Sequence, residues 1–186
     1  MNPTMARIKQ DIPWNQPGAR NLGAHLVNTE YLSFVDIDHE ITLKGLKQAH
    51  DKRKDPYTLY RFNRILNGKP HYPHPCSFVI SKKAFDLIGG FDEDFSGFRG
   101  HDDTMFRFVA KQSLRSDMID GALILHEVAL TKTLDRDNMK NKALLETKKQ
   151  QLLNGTYRTG NRLRFDWEIV HQAHRKPGRG DMNKWG

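Results

Sequence analysis

The apolar positions of this chain come in short blocks, set apart by polar, glycine- and proline-bearing stretches. Residues 17–28 predict a helix opened by Pro17, since the first helical turn does not need the N–H that proline lacks. Tyr31-Leu32-Ser33-Phe34-Val35 is a compact apolar run of the kind that forms a buried strand. Residues 42–54 predict a helix, and 57–66 alternate as a strand does. Beyond a loop rich in proline and histidine, Ser77 to Ile80 predicts another strand. Lys82 to Ile88 follows as a short helix, stopped by Gly89-Gly90. Residues 102–111 predict a helix and 122–126 a strand. A longer helix is expected over 136–153, with Leu144, Leu145, Leu152 and Leu153 along its apolar side. Strands alternating with helices predict an α/β fold.

Size and composition narrow this picture. The chain has 186 residues, 37% hydrophobic and 28% charged, which suits one soluble domain with a single core. No segment approaches the roughly 18–20 apolar residues of a membrane span. Met1 to Gln10 has no apolar run of a secretory signal, so the expected location is cytoplasmic. A single cysteine, Cys76, excludes an internal disulfide. The net charge of +8 is uneven: residues 131–186 hold 13 lysines and arginines against 6 acids, whereas the first 130 hold 17 against 16. Such a basic third attracts phosphates, nucleic acid or an anionic membrane surface, or is merely a well-solvated helix. Nothing in the chain matches a nucleic-acid-binding motif. The Gly-, Lys- and Arg-rich residues 176–186 predict a disordered tail.

Three constellations have residue types suited to chemistry. In Asp36-Ile37-Asp38, placed at a strand end, residues i and i+2 point to the same side and can reach one cation. Carboxylate oxygens suit Mg²⁺ or Mn²⁺, which in turn hold a diphosphate. The same pattern also fits a turn with solvated acids. Asp102-Asp103, after the glycine-bearing stretch Gly97 to His101, fits a helix N-cap. It equally fits a carboxylate at a cleft edge that takes a proton from an attacking hydroxyl. His126, closing the apolar run Ala122 to Leu125, is a candidate metal ligand or a structural strand-end histidine. His71 and His74 read as loop residues, and His101 as a neighbour of the acidic pair able to touch phosphate or sugar. Trp14 and Trp167 are candidates for stacking on a sugar or base, or for a core. Arg20 and Asn21 are candidates for diphosphate contact, Arg20 because guanidinium matches phosphate geometry.

The order and spacing of these motifs resemble the second half of a GT-A glycosyltransferase of the family 2 type, galactosyltransferase-like. Pro17-Gly18-Ala19-Arg20-Asn21-Leu22-Gly23 is similar to that family's A-R-N-x-G helix, and Tyr31 to Asp38 to its strand ending in D-x-D. Cys76 to Phe95 resembles the segment that ends in G-G-F-D-E-x-F. Gly100-His101-Asp102-Asp103 resembles the G-x-E-D acceptor motif, with aspartate where glutamate is usual. The resemblance covers about residues 12–128. It implies a GT-A fold, a mixed sheet flanked by helices that lacks the first βα units. It divides the chain into a partial transferase domain at 1–130, a basic helical extension at 131–175 and the tail at 176–186. Further, it implies a metal-dependent transfer of sugar from a nucleotide-sugar donor, a UDP-sugar foremost, to a glycan or other hydroxyl acceptor. Asp36, Asp38 and His126 would bind Mn²⁺ or Mg²⁺, with Arg20, Asn21 and Asp36 on the donor. Asp103 would be the general base, Asp102 would bind acceptor, and Glu93 would shape the acceptor side of the cleft. The family's nucleoside-binding strands should precede residue 7, with Ala6 to Ile12 standing for at most the third. Without them a parallel sheet exposes an edge, to be covered by a partner chain or by self-association. The alternative is a non-catalytic, transferase-like module that binds a glycan or a protein.

Overall fold

A computed structural model describes residues 4–66, 68–125, 135–158 and 162–172. In chain order these form β1 (Thr4–Ile8), α1 (Gln16–Leu26), β2 (Tyr31–Phe34), β3 (His39–Ile41), α2 (Leu43–Lys52), β4 (Thr58–Leu66), β5 (Lys69–His71) and β6 (Phe78–Ser81). They continue with α3 (Lys82–Leu87), a 3₁₀ turn at Glu93–Phe95, α4 (Asp102–Ser113), β7 (Arg115–Leu125), α5 (Met139–Leu153) and β8 (Trp167–Gln172). The chain divides into two units, Met1–Asp11 with Phe165–Gly186, and Ile12–Arg164. In the smaller unit β1 and β8 pair antiparallel, Ile8 opposite Trp167, with Arg7 ion-paired to Glu168. The segment expected as a sheet strand near residues 6–12 thus belongs to a separate two-stranded ribbon.

The larger unit is a mixed sheet of six strands in the order β2-β6-β4-β7-β3, with β5 attached to β4. Only β4 and β7 run parallel; the other pairs are antiparallel. The architecture is therefore a mixed sheet flanked by helices, the α/β class expected from the sequence. Alternation along the strands sorts side chains to two faces. Leu59, Phe78 and Ile80 pack with Ala24 of α1, Ala84 and Phe85 of α3, and Met105 and Phe106 of α4. Tyr60, Phe62 and Val79 pack on the other face with Ala49 of α2. The first face holds an aromatic core in which Phe91 and Phe106 stack at 4.4 Å and Phe78 and Phe106 at 5.0 Å. Each such ring contributes on the order of 1.5–3 kcal/mol by leaving water.

The boundary expected near residue 130 is not where contacts divide the chain, because α5 belongs to the larger unit. Leu145 is buried in the main core, and Leu144 and Leu152 pack against it. Leu153, expected on the same apolar side, is exposed. Two polar residues of α5 do as much as its leucines. Asn141, fully buried, donates from its amide nitrogen to Phe95 O, Phe98 O and Gly100 O at 2.8–2.9 Å, fixing the loop that leads into α4. Lys148 Nζ lies 2.7 Å from both Asp92 Oδ2 and Asp94 Oδ2.

Burial works against the Lys148 charge, and the hydrogen bonds to Asp92 and Asp94 outweigh it, so its pKa stands above the ordinary 10.5. Stability from this group is complete below pH 10.5 and is lost as pH rises through the higher folded value. Lys148→Met leaves the Asp92 carboxylate buried without its cation and is expected to cost about 3–5 kcal/mol near neutral pH. Urea titrations of both proteins across pH 7–11.5 check this. The wild type should weaken at the alkaline end, and the gap between the two should narrow there.

Candidate functional site

One cleft of about 660 Å³ in the larger unit draws its lining from five separate stretches of chain, one of them represented by Arg136 alone. α1 supplies Arg20. The turn after β2 supplies Asp36 and Asp38, the loop before β6 supplies His74 and Cys76, and the start of α4 supplies Asp102 and Asp103. α1 begins where expected, with Asn15 Oδ1 accepting from Gly18 N and proline in its first turn. Asp36 and Asp38 differ slightly from expectation. They sit in a turn between β2 and β3, closed by His39 N donating to Asp36 O at 3.0 Å, and not on the strand itself. Both still line the cleft, together with the exposed Ile37 between them.

Arg20 ties the two acidic walls together. Its Nη1 donates to Asp102 Oδ2 at 2.8 Å and its Nη2 to Asp36 Oδ1 at 2.9 Å. The guanidinium also lies 5.0 Å over the Phe91 ring. Burial opposes its charge, but the surrounding anions hold its pKa above the ordinary value, so it remains a cation. Burial raises the Asp102 pKa, with Arg20 pulling the other way. The 2.8 Å contact with a permanent cation favours the charged form of Asp102 against that burial.

His101, in the left-handed conformation at φ 70°, holds the cap position of α4 and makes no side-chain cap bond. Asp102 and Asp103 are thus the first two helical residues and not the N-cap, where the helix dipole favours their charge. Asp103 accepts from Thr104 N at 2.7 Å and from Thr104 Oγ1 at 3.3 Å, both on Oδ1. It is half-buried on the cleft wall.

Other expected site residues fall elsewhere. Asn21 is buried and clamps Phe91, donating to Phe91 O and accepting from Phe91 N, each at 2.9 Å, and it donates to Glu93 Oε1 at 2.8 Å. With its amide so occupied it does not line the cleft, which removes it from the donor contacts expected of it. Glu93 is fully buried too, bonded to Asn21 and to the backbone N–H groups of Leu163 and Arg164. It therefore braces the scaffold and presents no carboxylate to an acceptor. Trp167 is in β8, in the smaller unit, whereas Trp14 does line the cleft. Trp14 has φ 53°, a left-handed conformation that for a bulky side chain costs on the order of 1–3 kcal/mol. His126 lies outside the described residues.

The reading of the residues missed His74. Its Nε2 lies 3.5 Å from Asp36 Oδ2, and its ring sits 4.3 Å from that of His39, whose Nδ1 is 2.5 Å from Asp38 Oδ1. Burial pushes the His74 pKa below its ordinary value, against the pull of Asp36, so the imidazole is neutral near pH 7. Pro73 and Pro75, which made this stretch look like a plain loop, stiffen the chain on both sides of it. Cys76 is buried, and burial pushes its thiol far above the range in which a thiolate forms, so it is no nucleophile.

Asp36 and Asp38 supply the hard oxygen donors that Mg²⁺ and Mn²⁺ prefer. Among the described residues no group of three or more His, Cys, Asp or Glu side chains is placed to hold a metal ion. An ion at this turn would therefore complete its shell from water and from the oxygens of its ligand. No helix among the described residues is long and apolar enough to cross a membrane. No family model matches the chain, and a search of curated proteins finds no match to it.

Proposed function

We propose that this chain carries the metal-side and acceptor-side portion of a glycosyltransferase that uses a nucleotide-sugar donor. The observation that supports the reading is the convergence of Asp36, Asp38, Arg20, Asp102 and Asp103 on one cleft from segments some 80 residues apart. On this reading Asp103 takes the proton of the acceptor hydroxyl as its oxygen attacks the anomeric carbon. The bond from that carbon to the diphosphate breaks, and the electron pair leaves with the diphosphate. Asp36 and Asp38 would hold Mg²⁺ or Mn²⁺, which when bound supplies positive charge for the departing diphosphate. Arg20, the cation already seated between Asp36 and Asp102, keeps the two walls in register and offsets the repulsion between these two carboxylates. Asp102, engaged by Arg20, supports Asp103 more than it contacts acceptor.

The second reading, a non-catalytic module, is favoured by one observation. No strand among the described residues pairs with the outer edge of β2, and a groove of about 440 Å³ between β2 and α1 follows it. Calorimetric titration with UDP, then UDP- and GDP-sugars, with and without Mn²⁺, separates the two. Transfer chemistry expects micromolar, Mn²⁺-dependent binding that Asp38→Ala abolishes without lowering the unfolding temperature. Equal heats with and without the ion, or full affinity in the variant, would remove the metal-dependent donor site.

A further inference from the structure

One lip of the cleft contains cations that the scheme above does not use. Arg99 and Arg136 both line it, and among the described residues neither has a carboxylate partner. Asp103 shares the cleft with both guanidiniums without an ion pair to either, and the other acids close in sequence are otherwise engaged. Asp135 Oδ1 accepts from Asp137 N, and Asp137 Oδ1 from Met139 N, both at 2.9 Å. Asp94 is held by Lys148 and Arg164, and Asp102 by Arg20. Two half-buried guanidiniums facing one cleft with no carboxylate partner among the described residues favour an anion from outside the chain.

The lip is also built to hold its shape. Gly97 N donates to Pro13 O at 3.0 Å, and Ser96 Oγ to Asn15 Oδ1 at 2.7 Å, joining the Trp14 segment to the loop that carries Arg99. Trp14 Nε1 donates to Asp135 O at 2.9 Å, and Arg99 Nη1 reaches Arg136 O at 3.4 Å, joining both to the Arg136 segment. Asn141 fixes the Arg99 loop from beneath through Phe98 O and Gly100 O. An indole held beside two guanidiniums combines a flat apolar surface with charge, the pairing that suits a sugar ring bearing an acidic group. Asp103 lines the same cleft and enters α4 from the Arg99 loop.

We propose that Trp14, Arg99 and Arg136 form the acceptor subsite, and that it takes a glycan bearing a carboxylate or a sulfate ester. That the ligand is an acceptor sugar rests on the transferase reading, while the preference for an anion rests on the lip alone. The two are tested separately. Titration of the full chain with a uronic-acid-containing disaccharide, its carboxyl-reduced counterpart and a sulfated disaccharide, in the absence of donor and metal, reads the lip. The acidic disaccharide should bind about tenfold or more tightly than its reduced form, the scale of a charge-assisted hydrogen bond. The advantage should shrink as salt rises from 50 to 300 mM, as ionic contacts do, by an extent within reach of about one order of magnitude. Arg99→Gln and Arg136→Gln should each narrow the gap between the acidic and the neutral sugar. Arg99→Lys, which keeps the charge, should retain part of the preference. Whether the carboxylate or the sulfate binds better names the acceptor's group. Equal affinity for the acidic and reduced sugars, no binding of either, or a preference that survives in the double glutamine variant overturns the inference. Failure of the transferase reading would appear elsewhere, as absent UDP binding with the anionic preference intact.

Discussion

Replacing Asp103 with asparagine is expected to lower sugar transfer by about 10²–10⁴-fold, the usual contribution of a positioned general base. Donor binding should stay at the wild-type level, since Asp36 and Asp38 are untouched. The fold should stay as well. Both bonds from Thr104 fall on one Asp103 oxygen, which an asparagine carbonyl reproduces. Losing one negative charge from the first turn of α4 costs only about 0.3–1 kcal/mol. Single-turnover transfer with a matched donor, measured beside UDP affinity and unfolding temperature, checks all three. Transfer at the wild-type rate would take the base role from Asp103. A loss of transfer matched by a loss of stability would make its role structural.

Glu93→Ala is expected to destabilise the fold by about 3–5 kcal/mol. The Glu93 carboxylate receives Asn21 Nδ2, Leu163 N and Arg164 N at 2.8–3.0 Å in a site without solvent access. Removing it takes the acceptor from one Asn21 amide hydrogen and from the part-buried N–H groups of Leu163 and Arg164, each costing about 1–3 kcal/mol. Leu163 also has φ 58°, a left-handed conformation that an unbranched or branched side chain adopts only when held, and the lost bond is part of what holds it. Glu93→Gln keeps one accepting oxygen and should lose roughly half as much. Urea midpoints at constant slope measure both. A loss under 1 kcal/mol in the alanine variant, within the ordinary range of exposed substitutions at about ±0.5 kcal/mol, would mean that the amides find other partners.

The local signals read well where a residue's own chemistry decides its conformation. Proline in the first turn and the Asn15 cap set the start of α1, which runs Gln16–Leu26 against an expected 17–28. The Lys82–Leu87 helix stops at Gly89 and Gly90, both at positive φ, and glycine alone enters that region without strain. Strands read less well where pairing makes them. β7 begins at Arg115, well before the apolar run at 122, because the polar stretch Arg115–Ile119 lies in parallel register against Thr58–Phe62. β8 carries no strong alternation and exists as the partner of β1 across more than 150 residues. β3 and β5 are three residues each, too short for a period to be seen.

The site shows the same division. Residue type and spacing singled out Asp36, Asp38, Asp102 and Asp103, because a carboxylate's affinity for cations and protons does not depend on its neighbours for its kind, and all four line one cleft. Which acid pairs with what was not legible. Arg20 meets Asp36 and Asp102, His74 meets Asp36, and Asn21 turns away from the cleft to hold Phe91. Each of these depends on where α1, β2, α4 and the 74–76 loop come to rest on one sheet. Composition and periodicity dictate elements, since helix and strand hydrogen bonds are satisfied within a few residues or by any suitable partner. Contacts between residues 16 to 82 apart follow only from packing, which chooses among partners by shape and burial after the elements have formed.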